Sequence, residues 1–197
     1  MEQVVDAPCP TCGDDEGLRL RTHIDDIPYF GEHTQVTLLC LACGWRQTDL
    51  IPAEAQTPTG WTLALTEREH LTARVVRSTA CTVRIPELDL EVAPGASSTG
   101  YVSNVEGVLQ RFVDVLDIVE RDVVAHGDRK EERAALDHLR LRLAMAMAGQ
   151  FDEALTLELL DPSGRSLILD DDAVQRRLTE KETEDLPMGP EPPVFSA

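Results

Sequence analysis

Lysine is nearly missing from this sequence. Only Lys130 and Lys181 occur among 18 basic residues, against 36 Asp and Glu, for a formal net charge of -18. So acidic a surface lacks the footprint of a protein that grips a phosphate backbone. Aromatic residues are scarce as well, at 4%, so the few that occur carry information. No apolar run is long enough to cross a bilayer, and the opening MEQVVDAPCP lacks the basic and apolar blocks of a secretory signal. The reading is a cytoplasmic protein with reduced thiols, a setting in which paired cysteines serve metals rather than disulfides. G-x-S-x-G, a P-loop and any HxH or H-x-E pair are also missing, so no enzymatic activity is expected.

What is present is a pair of knuckles. Cys9 and Cys12 are spaced C-x2-C, as are Cys40 and Cys43, with 27 residues between the pairs. Two such turns can supply four thiolates to one tetrahedral Zn2+, a structural ion with no position left for water. Gly13 and Gly44 follow the second cysteine of each pair and allow the positive φ such a turn wants. The two histidines between the knuckles, His23 and His33, are assigned to the ribbon surface because the shell is already complete. Tyr29 and Phe30 are adjacent aromatics in the intervening loop. In an extended segment they point to opposite sides, so one can pack under the ribbon while the other is exposed as a partner contact.

The remaining pattern predicts a mainly β protein with a helical hairpin. Residues 1–52 form the zinc ribbon, with strands at Leu18–Ile24 and Gln35–Cys40, and the Pro/Thr-rich stretch 53–60 is a linker. A β-rich domain spans 61–178. Its alternating runs are Trp61–Leu65, Leu71–Val75, Cys81–Val92 with a break at Pro86, Ala154–Leu159 and Ser166–Leu169. Asp161-Pro162-Ser163-Gly164 between the last two reads as a hairpin turn. The helical hairpin covers about 104–149. Ser103 and Glu106 form a capping box, Val105 to Val123 supply an apolar stripe, and Gly127 ends the first helix. Asp128 and Glu131 open the second, whose stripe runs from Ala135 to Met147 before Gly149. The acidic, Pro-rich stretch 179–197 is expected to be disordered. Cys81, in an alternating run, reads as a buried small hydrophobe.

Taken together, CPTCG, Ile27-Pro28-Tyr29-Phe30, CLACG, Ile85-Pro86-Glu87-Leu88, a glycine at 95 or 100, Val105-Glu106-Gly107 and Asp161-Pro162-Ser163-Gly164 resemble the Zpr-type zinc-finger proteins. The resemblance covers roughly Cys9 to Asp170. It implies a double-stranded β-helix or jelly-roll-like second domain bearing the helical hairpin. It also implies binding to translation elongation factor 1-alpha and a role in that factor's folding. One ribbon-plus-domain unit, rather than two, resembles the archaeal members.

Two readings of the charge stand side by side: an acidic, well-solvated surface, and adaptation to the salt-rich cytoplasm of a halophilic archaeon, where screening tolerates self-repulsion. Two functional classes likewise follow. One is a zinc-binding adaptor or folding chaperone for elongation factor 1-alpha. The other is a ribbon that binds nucleic acid or a transcription complex, which nine acidic residues against three Arg between Met1 and Pro52 disfavour.

Overall fold

The computed structural model describes residues 1–27, 31–52, 57–95, 98–125, 130–151 and 153–188. Four antiparallel strands build the N-terminal sheet: β1 (Glu2–Val4), β2 (Leu18–Ile27), β3 (Gly31–Cys40) and β4 (Arg46–Pro52), in that spatial order. β2 and β3 run longer than the sequence suggests, because their ladder continues from Leu18↔Cys40 to Ile27↔Gly31. The acidic pair Asp25-Asp26 and the polar run Gly31–Thr34 hide this extension from a hydrophobic pattern. β3 is flanked on both sides, with His33 opposite Pro52 of β4, and His33 is buried rather than on the surface. His23 is exposed as expected.

Two further sheets follow. The larger has the order β12-β5-β10-β7-β8 and the smaller β11-β6-β9. Their strands are β5 (Thr59–Leu65), β6 (Arg74–Arg77), β7 (Thr82–Ile85), β8 (Leu90–Val92), β9 (Tyr101–Asn104), β10 (Leu155–Asp161), β11 (Leu167–Leu169) and β12 (Val174–Arg177). The chain passes repeatedly from one sheet to the other, which is how a jelly roll encloses a core. That core joins Leu63 and Leu65 of β5, Val83 and Ile85 of β7, and Leu155, Leu157 and Leu159 of β10, all at most 2% exposed. Cys81 is buried among them, and burial pushes its thiol up to about 12.

Helix α1 (Val105–Ala125) and helix α2 (Lys130–Met147) are inserted between β9 and β10. Val105, Val108, Leu109, Phe112 and Leu116 of α1 and Leu136, Leu143 and Ala146 of α2 enter the same core. The apolar stripe overruns the burial at Val119, 41% exposed, and at Ala135, which is exposed, while Val123 packs partly buried against the core. Gly149 closes α2 with φ +76, as its position predicts. Gly127 and Asp128 lie outside the described residues.

Six further expectations are corrected. The Ser103–Glu106 capping box does not form, because Ser103 pairs with Val75 inside β9. Asn104 caps the helix instead, its Oδ1 accepting the Gly107 N–H at 2.9 Å. Leu71 sits in a 3₁₀ turn, Arg68–Thr72, not in a strand. The alternation across Ile85–Val92 is broken by a second 3₁₀ turn, Pro86–Leu88, and by Asp89 at φ 52. Asp161-Pro162-Ser163-Gly164 is a turn but not a hairpin, since β10 pairs with β5 and β7 while β11 pairs with β6. Finally, order continues past 178. Thr179 caps helix α3 (Glu180–Asp185) in a reciprocal capping box with Glu182, and Leu186 is buried against Leu160 and Leu178. Thr59 also lies in β5 rather than in a linker.

Candidate metal centre

Both knuckles are built by the backbone before any metal is considered. Gly13 N–H donates to Cys9 O and Gly44 N–H to Cys40 O, each at 2.9 Å, and both glycines sit near φ +75. These turns place Cys9 and Cys12 at one end of β2 and Cys40 and Cys43 at the matching end of β3. The Leu18↔Cys40 register then brings the pairs together.

All four Sγ atoms lie within 4.8 Å of one another, with Cys9···Cys43 at 3.8 Å and Cys12···Cys40 at 3.7 Å. A disulfide needs sulfurs about 2.05 Å apart. A tetrahedron with Zn–S bonds of about 2.3 Å has edges of about 3.8 Å. The donor set therefore fits zinc and excludes pairing among these cysteines. Cys9 and Cys40 are buried, Cys12 and Cys43 exposed, so the centre sits at the rim of the small ribbon core.

The thiols do not ionise alike. Burial works to raise Cys9, but the backbone N–H groups of Cys12 and Thr11 bring it down to about 7. The Asp14 N–H lowers Cys12, yet contacts with the neighbouring thiols and burial push it up to about 12. Clustered thiolates oppose each other's charge, and a divalent cation relieves that opposition. Four Cys ligands complete the shell, so a zinc ion held there is structural. Bound there, it would clip together the Leu18 end of β2 and the Cys40 end of β3.

Tyr29 and Phe30, the aromatics proposed as partner contacts, lie outside the described residues. In sequence they fall between β2, which ends at Ile27, and β3, which begins at Gly31.

The ribbon also joins the jelly roll through a buried polar contact that the sequence does not flag. Asp49 of β4 pairs with Arg165 at 2.7 Å and accepts the Thr79 N–H at 3.2 Å. Burial raises its carboxyl above the ordinary range, although Arg165 and the amides oppose that shift. Gly100 N–H donates to Thr48 O at 2.7 Å, and a Cβ there would stand 3.1 Å from both Arg77 O and Asp49 Oδ1. Of the two motif glycines, Gly100 is thus the one that permits close approach, whereas a Cβ at Gly95 would meet no described atom within 4 Å. Asp161, fully buried, accepts from Ser163 N and Oγ, Arg165 N, Ser166 Oγ and Ser78 Oγ. The Asp-Pro-Ser-Gly motif is thereby explained: its carboxylate organises the turn that presents Arg165 to Asp49.

Of the two motif glutamates, one has structural work. Glu87 accepts the Thr156 N–H at 2.9 Å and its hydroxyl at 2.7 Å, pinning the Pro86 turn to β10; it is not simply a solvated strand residue. Glu106 is exposed in the first turn of α1. The fold also gathers His70, Asp170 and Asp172, which are far apart in sequence. His70 Nδ1 accepts the N–H groups of Thr66 and Glu67, so its proton is on Nε2, where it donates to Asp172 at 3.1 Å. That tautomer offers no lone pair to a metal. His138 is exposed, and His126 lies outside the described residues.

Fold and site together define a class: a four-cysteine zinc ribbon joined to a jelly roll that carries a helical hairpin. The family model of the ZPR1 jelly-roll domain matches residues 69–185. A ZPR1-like protein of Methanocaldococcus jannaschii is 35% identical over 96% of this chain and 92% of its own length. Human zinc finger protein ZPR1 is 30% identical over 79% of this chain, which spans only 33% of the human protein. A protein of Schizosaccharomyces pombe named zinc finger chaperone zpr1 is 34% identical over 58% of this chain and 24% of its own length. The chain belongs to the ZPR1 family. No helix among the described residues is long and apolar enough to cross a membrane.

Proposed function

We propose that this chain is a zinc-stapled adaptor or folding chaperone whose client is translation elongation factor 1-alpha. The observation that carries the reading is the closed four-sulfur shell, with every Sγ within 4.8 Å of the others. A metal so enclosed has no open position for substrate, which gives it a shaping role and leaves the surface it shapes for binding. A fission-yeast relative bears the name of a zinc finger chaperone, which supports a protein client. The choice of elongation factor 1-alpha rests on the motif resemblance. Tyr29 and Phe30, in the sequence between β2 and β3, and the outer face of α1 and α2 are the proposed contact surfaces.

The working environment belongs to the same proposal: a salt-rich cytoplasm in which a chain of charge -18 is stable because its self-repulsion is screened. Equal thermal midpoints in low and multimolar KCl would remove that part.

The test is affinity purification at high salt with the folded, zinc-loaded chain, comparing wild type with Tyr29→Ala and Phe30→Ala. Enrichment of the elongation factor by wild type, and its loss from a variant that keeps its zinc, is the expected result. Failure of the wild-type chain to enrich that factor overturns the reading.

A further inference from the structure

Two arginines share one aromatic ring, Tyr101, and neither is ion-paired with a described carboxylate. Arg77, at the end of β6, is only 6% exposed. Its guanidinium donates to neutral oxygens alone: Cys81 O at 2.7 and 3.2 Å, Ser98 Oγ at 3.0 Å and Thr99 O at 3.3 Å. A buried cation without a counter-charge is costly, and the usual resolution is an anion. Arg111, on the second turn of α1, stacks on the Tyr101 ring at 4.0 Å, and Arg77 lies 5.7 Å from the same ring centre. Two cations gathered on one ring repel each other.

Both arginines line a cavity of about 260 Å³ between α1 and the sheets, whose other walls include Val83, Val92, Tyr101 and Phe112. Asp114 stands at its rim and accepts from Gln110 at 3.1 Å. That carboxylate tells against a dianionic phosphate, and the apolar walls call for an apolar body beside the negative group. From the cavity an apolar stripe continues outward along α1. Val115, Ile118 and Val119 follow Val108 and Phe112 at helical spacing and are 37%, 57% and 41% exposed. A small acid would fill the cavity and leave the stripe bare, whereas a polypeptide covers both.

We propose that the cavity beside Arg77 and Arg111, with the α1 stripe, is a docking groove for an extended partner segment in which a carboxylate side chain is followed by apolar residues. The carboxylate meets Arg111 at the mouth, under the field of Arg77, and the apolar side chains lie on Phe112 and along Val115 to Val119. This rests on the reading of the chain as a protein-binding protein, but its first test needs no client.

The probe is the fluorescein-labelled, capped peptide acetyl-Gly-Asp-Leu-Phe-Leu-Gly-amide, followed by anisotropy and by amide shifts on the full zinc-loaded chain. Binding that moves the amides of Tyr101, Arg111 and Phe112 is expected. The same peptide with Asn for Asp should bind about tenfold more weakly, as should the parent peptide on Arg111→Gln. Arg111 is exposed, so that variant keeps its fold, and the Asn peptide needs no variant at all. Ile118→Ser should weaken the peptide while leaving 4-phenylbutyrate unaffected. Absence of shifts around the cavity, equal affinity for the Asp and Asn peptides, or 4-phenylbutyrate binding as tightly as the peptide each overturns the groove. The two readings fail separately. Elongation-factor capture with no peptide binding removes the groove alone, and peptide binding without capture removes only the choice of client.

Discussion

The ribbon and the jelly roll share one chain and one solvent but are held together by different means. The ribbon core is Val5, Leu18, Leu20, Val36 and Leu38, completed by two of the zinc cysteines, Cys9 and Cys40. The jelly-roll core draws on both sheets and both long helices. A hydrophobic core as small as the ribbon's is marginal alone, and the metal supplies what packing does not. This difference explains the composition. Where zinc fixes the ends of strands, the rest of their sequence is free to be polar and acidic, as Asp25-Asp26 is. Where nothing but packing holds the strands, apolar alternation has to be kept.

Removing the metal should break that comparison most visibly. Chelation, or Cys40→Ser, forfeits a binding free energy on the order of 10–16 kcal/mol. We expect loss of amide dispersion over residues 1–52 with the jelly-roll signals largely retained, read by NMR of the labelled chain. A ribbon that stays folded without zinc, or a jelly roll that melts with it, contradicts the separate origins of stability. The complementary change is Leu157→Ala, at a fully buried position in β10. It should cost about 2–5 kcal/mol of jelly-roll stability in denaturant melts, with zinc stoichiometry unchanged.

The Asp49–Arg165 contact decides how independent the two parts are. Arg165→Gln leaves a buried carboxylate with hydrogen-bond donors from Thr79 and Leu50 but without the Arg165 charge, and should cost about 3 kcal/mol. Asp49→Asn removes the charge whose burial is unfavourable, and about 1 kcal/mol is expected. The raised carboxyl of Asp49 has a definite sign. Its contribution is complete below the ordinary Asp value and is lost as pH rises through the raised one, so Asp49→Asn should flatten that part of the stability–pH curve. A double-mutant cycle with no coupling between the two sites would mean that the parts merely touch.

Much of this was legible in the sequence, for reasons that differ between the regions. The zinc site was fully legible, because C-x2-C spacing and a following glycine are local and a metal tolerates little else. Strands β5, β7 and β10 were legible because one face is buried, which forces period-two alternation. The capping box failed because Ser103 and Asn104 are both good caps, and only the pairing of β9 with β6 decides between them. The hairpin reading of Asp161–Gly164 failed because a turn motif fixes a change of direction and not the identity of the next partner strand. β12 and α3 were missed since Val174–Arg177 is exposed throughout and its pairing with β5 leaves no apolar signature. Arg77 and Arg111 were invisible for a related reason: a lone arginine in sequence does not say whether an acid will stand beside it.

The smallest expected effect concerns that missed C-terminal unit. Glu182 accepts from Arg176 at 2.7 and 3.0 Å and from Thr179 N and Oγ1 at 2.9 Å each. These bonds, led by Arg176, hold its carboxyl down at about 2. The pKa is depressed on folding, so the stabilisation is present above the ordinary Glu value of 4.5 and is lost as pH falls toward 2. Because the pair is solvent-exposed, Glu182→Gln should cost no more than about 1 kcal/mol, seen as faster amide exchange over residues 179–186 rather than as a lower global midpoint. Thr179→Ala should act alike through the lost cap. A Glu182 carboxyl that titrates near 4.5 would show that the box does not hold in solution. The order of this segment would then rest on Leu178 and Leu186 packing against Leu160 alone, which is how the ribbon would stand if its cysteines had no metal to bind.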